Sequence, residues 1–168
     1  FELDERFDAG EYTIKVRAIG DGKTNIMSNY SDPSTYEKLE VVQYVIEPLN
    51  TTSTSPYVIR WEALQGATSY VIRFDKDENL EYTTNGTYYN LDLITTLEAG
   101  SHTFQIRAIG DTVYYVNSNL TKESTIIRAD GEDANLRIDK GIITWNSVNG
   151  VELYELSING TIVNCSNN

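Results

Sequence analysis

Cysteine is almost absent from this chain. Cys165 is the only one in 168 residues, so no disulfide can close within the sequence. Paired-thiol redox motifs and cysteine-based zinc spacings are excluded for the same reason. The expected role of Cys165 is small apolar filler. Histidine is as scarce: His102 stands alone, and a histidine-rich metal site or proton relay has nothing to build on. Positive charge is also short. Thirteen Lys and Arg face 25 Asp and Glu, a net charge of -12, which argues against nucleic acid or anionic membrane as electrostatic partners. No apolar run approaches the roughly 20 residues of a membrane-spanning helix, so no membrane insertion is expected. Long helical periodicity is missing as well. No leader-like segment is visible at Phe1, which carries no weight if the chain is an internal piece.

What is present is alternation with period two, the mark of half-buried strands. Tyr12, Ile14, Val16 and Ala18 fall on one face, with Thr13, Lys15 and Arg17 on the other. His102, Phe104, Ile106 and Ala108 repeat that arrangement, against Thr103, Gln105 and Arg107. Turn signals punctuate the strands at Asp21-Gly22, Asn85-Gly86, Asp139-Lys-Gly141, Asn149-Gly150 and Asn159-Gly160.

The chain also repeats itself. Ala9 to Asp21 returns as Ala99 to Asp111, 90 residues on, with 8 of 13 positions identical. Trp61, Gly66 and Tyr70 return as Trp145, Gly150 and Tyr154, 84 residues on. A period near 90 suits a small domain and is too long for a solenoid unit. The sequence therefore predicts the C-terminal half of one module over 1–41, a complete module over 42–129, and the N-terminal half of another over 130–168. Strands are expected near 43–48, 57–62, 69–75, 79–84, 87–92, 101–109 and 122–129. Asn50 to Ser55 reads as a loop and Asp130 to Asp133 as a linker. The junction from Tyr36 to Tyr44 has neither Gly nor Pro, which predicts a stiff joint. The fold class is all-β, with antiparallel sandwich modules in tandem.

The order of landmarks resembles a fibronectin type III-like module of the immunoglobulin fold. A tryptophan marks the second strand (Trp61, Trp145) and a tyrosine the third (Tyr70, Tyr154). An aromatic-x-Leu strand follows (Phe1-Glu-Leu3, Tyr89-Asn-Leu91), then the Leu97-Glu-Ala-Gly100 turn, an Arg-Ala strand, and the Ser28-Asn-Tyr-Ser31 and Ser118-Asn-Leu-Thr121 steps. More narrowly, Gly-x-Tyr-x-Ile-x-Val-Arg-Ala-Ile-Gly-Asp-Gly resembles repeats in surface and secreted proteins of low-GC Gram-positive bacteria. The turn into the sixth strand departs from the animal-type pattern: it is shorter, and Ala99 stands in place of proline. No Arg-Gly-Asp occurs in either following loop. The resemblance implies a secreted or cell-surface location and flanking modules of the same polypeptide as partners. It also implies that the corner aromatic of the family, Tyr12 in one copy, is replaced by His102 in the other.

Few residues suggest chemistry. Asp75-Lys-Asp77-Glu-Asn79 begins like a calcium loop, but Leu80 occupies the place of the sharp-turn glycine and no closing Glu follows. It reads as a charged hairpin, so no metal and no cofactor are expected. Trp61, Tyr70, Phe104, Ile106, Trp145 and Tyr154 are read as structural core. Tyr114 and Tyr115, adjacent at a loop tip, are the candidate ligand contact, by stacking on sugar rings or filling a protein pocket. The matching loop, Gly22-Lys-Thr-Asn25, has no aromatic. Six Asn-x-Ser/Thr sequons, at Asn29, Asn50, Asn85, Asn119, Asn159 and Asn164, read as polar turns under the bacterial resemblance.

The expected function is non-catalytic: a spacer, stalk or adhesive segment of a larger protein. A glycan-binding or linker module of a secreted carbohydrate-active enzyme is the second reading. A protein-binding module that grips a partner through loops or strand edges is the third. Head-to-tail association is a further expectation, because the two half-modules together hold about one strand set.

Overall fold

The computed structural model describes residues 3–47, 57–130, 134–151 and 153–166. The expected Asn50–Ser55 loop, the linker beyond Asp130, and Phe1 and Glu2 of the first aromatic-x-Leu strand lie outside them. The described residues form an all-β structure of several mainly antiparallel sheets, consistent with a β-sandwich. None of its helices is long and apolar enough to cross a membrane.

The central part holds β3 (Tyr44–Ile46), β4 (Val58–Trp61), β5 (Ala67–Phe74), β6 (Glu81–Thr84), β7 (Tyr88–Asn90), β8 (Gly100–Gly110), β9 (Tyr115–Val116) and β10 (Ser124–Arg128). Apart from β9, which has no expected counterpart, every strand end lies within two residues of its expected position, save the end of the first, expected at residue 48, outside the described residues. One sheet has the order β3-β4-β7 and the other β10-β8-β5-β6. Their apolar faces meet in one core. β4 contributes Ile59 and Trp61, β5 contributes Tyr70, Ile72 and Phe74, and β8 contributes Phe104, Ile106 and Ala108. Ile59, Ile72, Phe74, Phe104, Ile106 and Ala108 have no exposed surface. The Tyr44 hydroxyl meets that of Ser124, tying β3 to β10.

β8 is the longest strand because it has a neighbour on each side. β10 pairs with its first half, from Gly100 to Phe104, and β5 runs beside it from Phe104 to Gly110. Where β10 stops short, two hydroxyls take over. The Ile106 N–H donates to Thr121 Oγ1 at 3.0 Å, and the Ala108 N–H donates to Ser118 Oγ at 2.9 Å.

The N-terminal part is a hairpin of β1 (Gly10–Ile14) and β2 (Ser34–Lys38). Expected strand character extends to Ala18, but the ladder stops at Ile14. Among the described residues no strand lies beside Lys15 to Gly20, so what remains is bonding to Ser28 and Ser31, whose N–H groups donate to the Ala18 and Val16 carbonyls and whose hydroxyls accept in return. Val16 N–H donates to Ser31 Oγ at 3.1 Å and Ala18 N–H to Ser28 Oγ at 2.9 Å. These are the bonds of Ile106 and Ala108, met 90 residues earlier.

The C-terminal part is two hairpins, β11 (Arg137–Asp139) with β12 (Ile142–Thr144), and β13 (Leu153–Ile158) with β14 (Thr161–Ser166). Lys140-Gly141 and Asn159-Gly160 close them with both φ angles positive, which suits a tight two-residue hairpin turn. Trp145 packs against Tyr154 in a tilted pair at 5.4 Å between ring centres, as Trp61 does against Tyr70 at 5.2 Å. The Tyr154 hydroxyl accepts the Val148 N–H, and the Tyr70 hydroxyl accepts the Leu64 N–H. Trp61 and Tyr70 are buried, whereas Trp145 and Tyr154 are half-buried. No second sheet covers the C-terminal pair among the described residues.

Candidate functional site

The loop from Asp111 to Val116 carries the two candidate tyrosines. It is built around one carboxylate. Asp111 Oδ1 accepts the N–H groups of Val113 and Tyr114 at 2.8 Å and of Tyr115 at 2.9 Å. Those bonds, Tyr115's first, hold the Asp111 carboxyl below the usual range. At the base of the loop Gly110 leaves no room for a side chain: a Cβ there would sit 2.1 Å from the Tyr115 carbonyl oxygen.

The two tyrosines part company. Tyr114 is 67% exposed, with its ring in solvent. Tyr115 is half-buried and packs against the core. Its ring lies over Gly66, where φ is +85° and an added Cβ would come within 2.4 Å of the ring. The pair therefore forms no shared stacking platform, and Tyr114 is the one residue of the two that presents a free face.

The backbone of the same loop receives the N-terminal hairpin. β2 pairs in parallel with β9, Glu37 against Tyr115 and Lys38 against Val116. Glu37 N–H donates to Tyr114 O at 2.8 Å and Leu39 N–H to Val116 O at 3.2 Å. The chain then dives inward: Lys38, Leu39 and Val42 are at most 3% exposed. The Lys38 ammonium donates to the carbonyl oxygens of Leu3, at 3.0 Å, and Asp4. Asn119 Nδ2 donates to Phe7 O at 3.2 Å. Burying a lysine is costly unless its donors are met, and here carbonyls of the N-terminal segment meet them.

A polar cleft of about 420 Å³ lies beside this joint, lined in part by Arg6, Arg73, Glu78, Arg107 and Asn119. Arg73 is paired with Glu81 at 2.6 Å, and Arg6 with Asp4 at 2.8 Å. Arg107 reaches Glu81 only at 3.9 Å, and its Nε is buried without a partner. Cations and carboxylates alternate around the cleft, and neither tyrosine lines it.

His102 opens β8 at the opposite end from the tyrosine loop. Its Nδ1 is 2.7 Å from Asp75 Oδ2, and its Nε2 is 2.8 Å from the Glu98 carbonyl oxygen. Tyr12 occupies the same place in the N-terminal hairpin, donating to the Asp8 carbonyl oxygen at 2.8 Å. Asp75 opens the charged hairpin with φ +51°, and its Oδ1 accepts the Thr103 N–H at 2.8 Å. Asp77 is turned to a local task, accepting the Asn79 N–H at 2.8 Å. Both ring nitrogens of His102 thus face acceptors that belong to the protein itself. No three acidic, histidine or cysteine side chains converge as a metal set among the described residues. Cys165 is half-buried, its sulfur 3.8 Å from Val163 O.

The likeness of His102 to Tyr12 is readable in the sequence. Its contact with Asp75 is not, because the carboxylate arrives from a turn 27 residues away. No protein-family model matches the chain, and no curated protein matches it either.

Proposed function

We propose that this chain is a non-catalytic extracellular segment of tandem fibronectin type III-like sandwich modules, serving as a spacer, stalk or adhesive segment of a larger surface or secreted protein. The finer fold reading is supported by the strand orders β3-β4-β7 and β10-β8-β5-β6 facing one core. The tandem reading is supported by hydrogen bonds that recur 90 residues apart, at Val16 and Ile106 and at Ala18 and Ala108.

The observation that carries the spacer reading is the joint. A spacer resists bending when the segment between modules is packed instead of solvated. Here β2 hydrogen-bonds to β9, and Lys38, Leu39 and Val42 are buried directly after it. Bending there would strip those bonds and expose Leu39 and Val42.

Spin labels at Glu11 and Thr83, both exposed, test this in a Cys165→Ser background. A stiff joint predicts one narrow distance distribution in pulsed dipolar spectroscopy. A broad distribution that narrows only in crystals or glycerol would remove the basis for the reading.

Tyr114 favours a second reading. An exposed aromatic ring on a loop pinned by Asp111 is suited to stacking on a sugar or entering a protein pocket. Titration with soluble glycans should then shift Tyr114 ring resonances, and Tyr114→Ala should abolish the response. Tyr115→Ala would instead lower stability, because that ring packs on the core. A flat titration leaves the spacer reading alone.

A further inference from the structure

The two acceptors at His102 set a condition on its protonation. Asp75 Oδ2 and the Glu98 carbonyl oxygen have no hydrogen to give. A neutral imidazole carries one N–H. Either tautomer satisfies one acceptor and turns a lone pair on the other. Only the imidazolium donates to both. We propose that His102 is a pH-operated latch in the central sandwich, tying the β5–β6 turn to the turn before β8 when protonated and releasing one of them when it loses the proton.

The N-terminal hairpin contains the unswitched version. Tyr12 donates to Asp8 O, at the position matching Glu98, through a single phenol hydrogen. Phenols do not titrate near neutrality. An imidazole at the matching place keeps the corner bond and adds a second tie, to Asp75. The cost is dependence on a proton.

The charges around the ring come from each element against it. Asp75 faces it from the β5–β6 turn and favours the imidazolium. Glu98 presents its backbone carbonyl from the preceding turn and does the same. Arg128 on β10 opposes it. Lys76, beside Asp75, is held by Glu123 at 2.9 Å. The net effect raises the His102 pKa above its ordinary value, with the Asp75 bond the largest cause and the Glu98 bond next. A raised folded pKa means that the stabilisation is complete below the unfolded value of about 6.5. It is lost as pH climbs through the folded value. The latch thus opens as pH climbs beyond the ordinary histidine value, and not below it.

The chain has one histidine, so its ring C2–H proton resonance needs no assignment. A titration of the full chain by NMR should give a midpoint above about 6.5, moved down in Asp75→Asn. The thermal midpoint of the wild-type chain should fall as pH rises above about 6.5, and that fall should vanish in His102→Tyr, which copies Tyr12. A titration midpoint at or below about 6.5 overturns the latch. So does an undiminished pH slope in His102→Tyr. Asp75 also holds the Thr103 N–H; should Asp75→Asn not fold, the wild-type titration and the His102→Tyr slope decide the matter.

Discussion

The segments from Ala9 to Asp21 and from Ala99 to Asp111 share 8 of 13 residues and end up in opposite conditions. Phe104 and Ile106 are wholly buried in β8, while their counterparts Ile14 and Val16 are 41% and 70% exposed. The hydrogen bonds nevertheless agree. Ser28 and Ser118 bind Ala18 and Ala108 at the same distance, 2.9 Å. Asp21 and Asp111 each gather three successive N–H groups. Gly20 and Gly110 each lie where a Cβ would strike a loop carbonyl, of Asn25 and Tyr115. Local sequence thus builds the hairpin and its loop in both places. Burial comes only where β5 and the sheet behind it stand alongside. Backbone bonds are a local property here, and the core is a long-range one.

That separation predicts a large asymmetry in core truncations. Phe104→Ala and Trp61→Ala should each lower stability by about 3–5 kcal/mol, the range for large buried aromatics. Ile14→Ala should change it by about 0.5 kcal/mol or less, as at exposed positions. Trp145→Ala, in a half-buried pair, should fall well below Trp61→Ala. Chemical denaturation followed by the remaining tryptophan measures all four. Equal losses for Trp61 and Trp145 would mean that something covers the C-terminal hairpins, and the comparison would fail.

Gly66→Ala comes next. A residue there must keep φ near +85° and displace the Tyr115 ring. The expected loss is above about 1 kcal/mol, the level at which alanine in a left-handed position exceeds its entropic gain. Tyr115 ring resonances should shift with it. If the ring stays put and stability holds, Tyr115 is not seated as described, and the joint with β2 loses one of its supports.

The residues themselves explain how much of this could be read in advance. Period-two alternation fixes which side of β8 faces inward, so Phe104, Ile106 and Ala108 were legible. Asn159-Gly160 announces its turn because Asn and Gly accept positive φ in succession, whereas at Lys140-Gly141 only the glycine gives that signal. The shortened strand after Ile14 was not legible, since its alternation continues to Ala18 and only a missing neighbour ends the ladder. Nor was the separation of Tyr114 from Tyr115. Adjacent residues point to opposite sides of an extended loop, and which side is core depends on Gly66, nearly fifty residues earlier. The parallel bonding of β2 to β9 left no local trace either. The absence of Gly and Pro from Tyr36 to Tyr44 suggested a stiff joint but not what it leans on.

The hydroxyl bonds offer a finer test. Ser118→Ala leaves the Ala108 N–H buried and unmet, at a cost of about 1–3 kcal/mol. Ser28→Ala breaks the same bond where water can replace it, and should cost about 0.5 kcal/mol or less. Amide exchange should accelerate at Ala108 only through wider opening, and at Ala18 directly. Matching losses would show that Ala18 is covered after all.

The smallest effect should be the one shared by both copies. Asp21 and Asp111 each carry a carboxyl pKa pulled below its ordinary value by N–H bonds, first from Asn25 and from Tyr115 respectively. A depressed folded pKa gives stabilisation that is present above the unfolded value of about 3.9. It disappears as pH falls through the folded one. Each carboxylate is held by a matching set of three N–H groups, so the two loops should loosen together in acid. Amide protection at Lys23 to Asn25 and at Val113 to Tyr115 should fall in parallel below about pH 4, while the β8 amides between Phe104 and Ala108 keep theirs. Asp111→Asn should loosen its own loop at neutral pH and leave the Asp21 loop unchanged. Should the Asp111 loop keep its protection in acid while the Asp21 loop loses it, the pairing with β2 would be the stronger restraint. The loop of the central sandwich would then owe its shape to the joint and not to its own carboxylate.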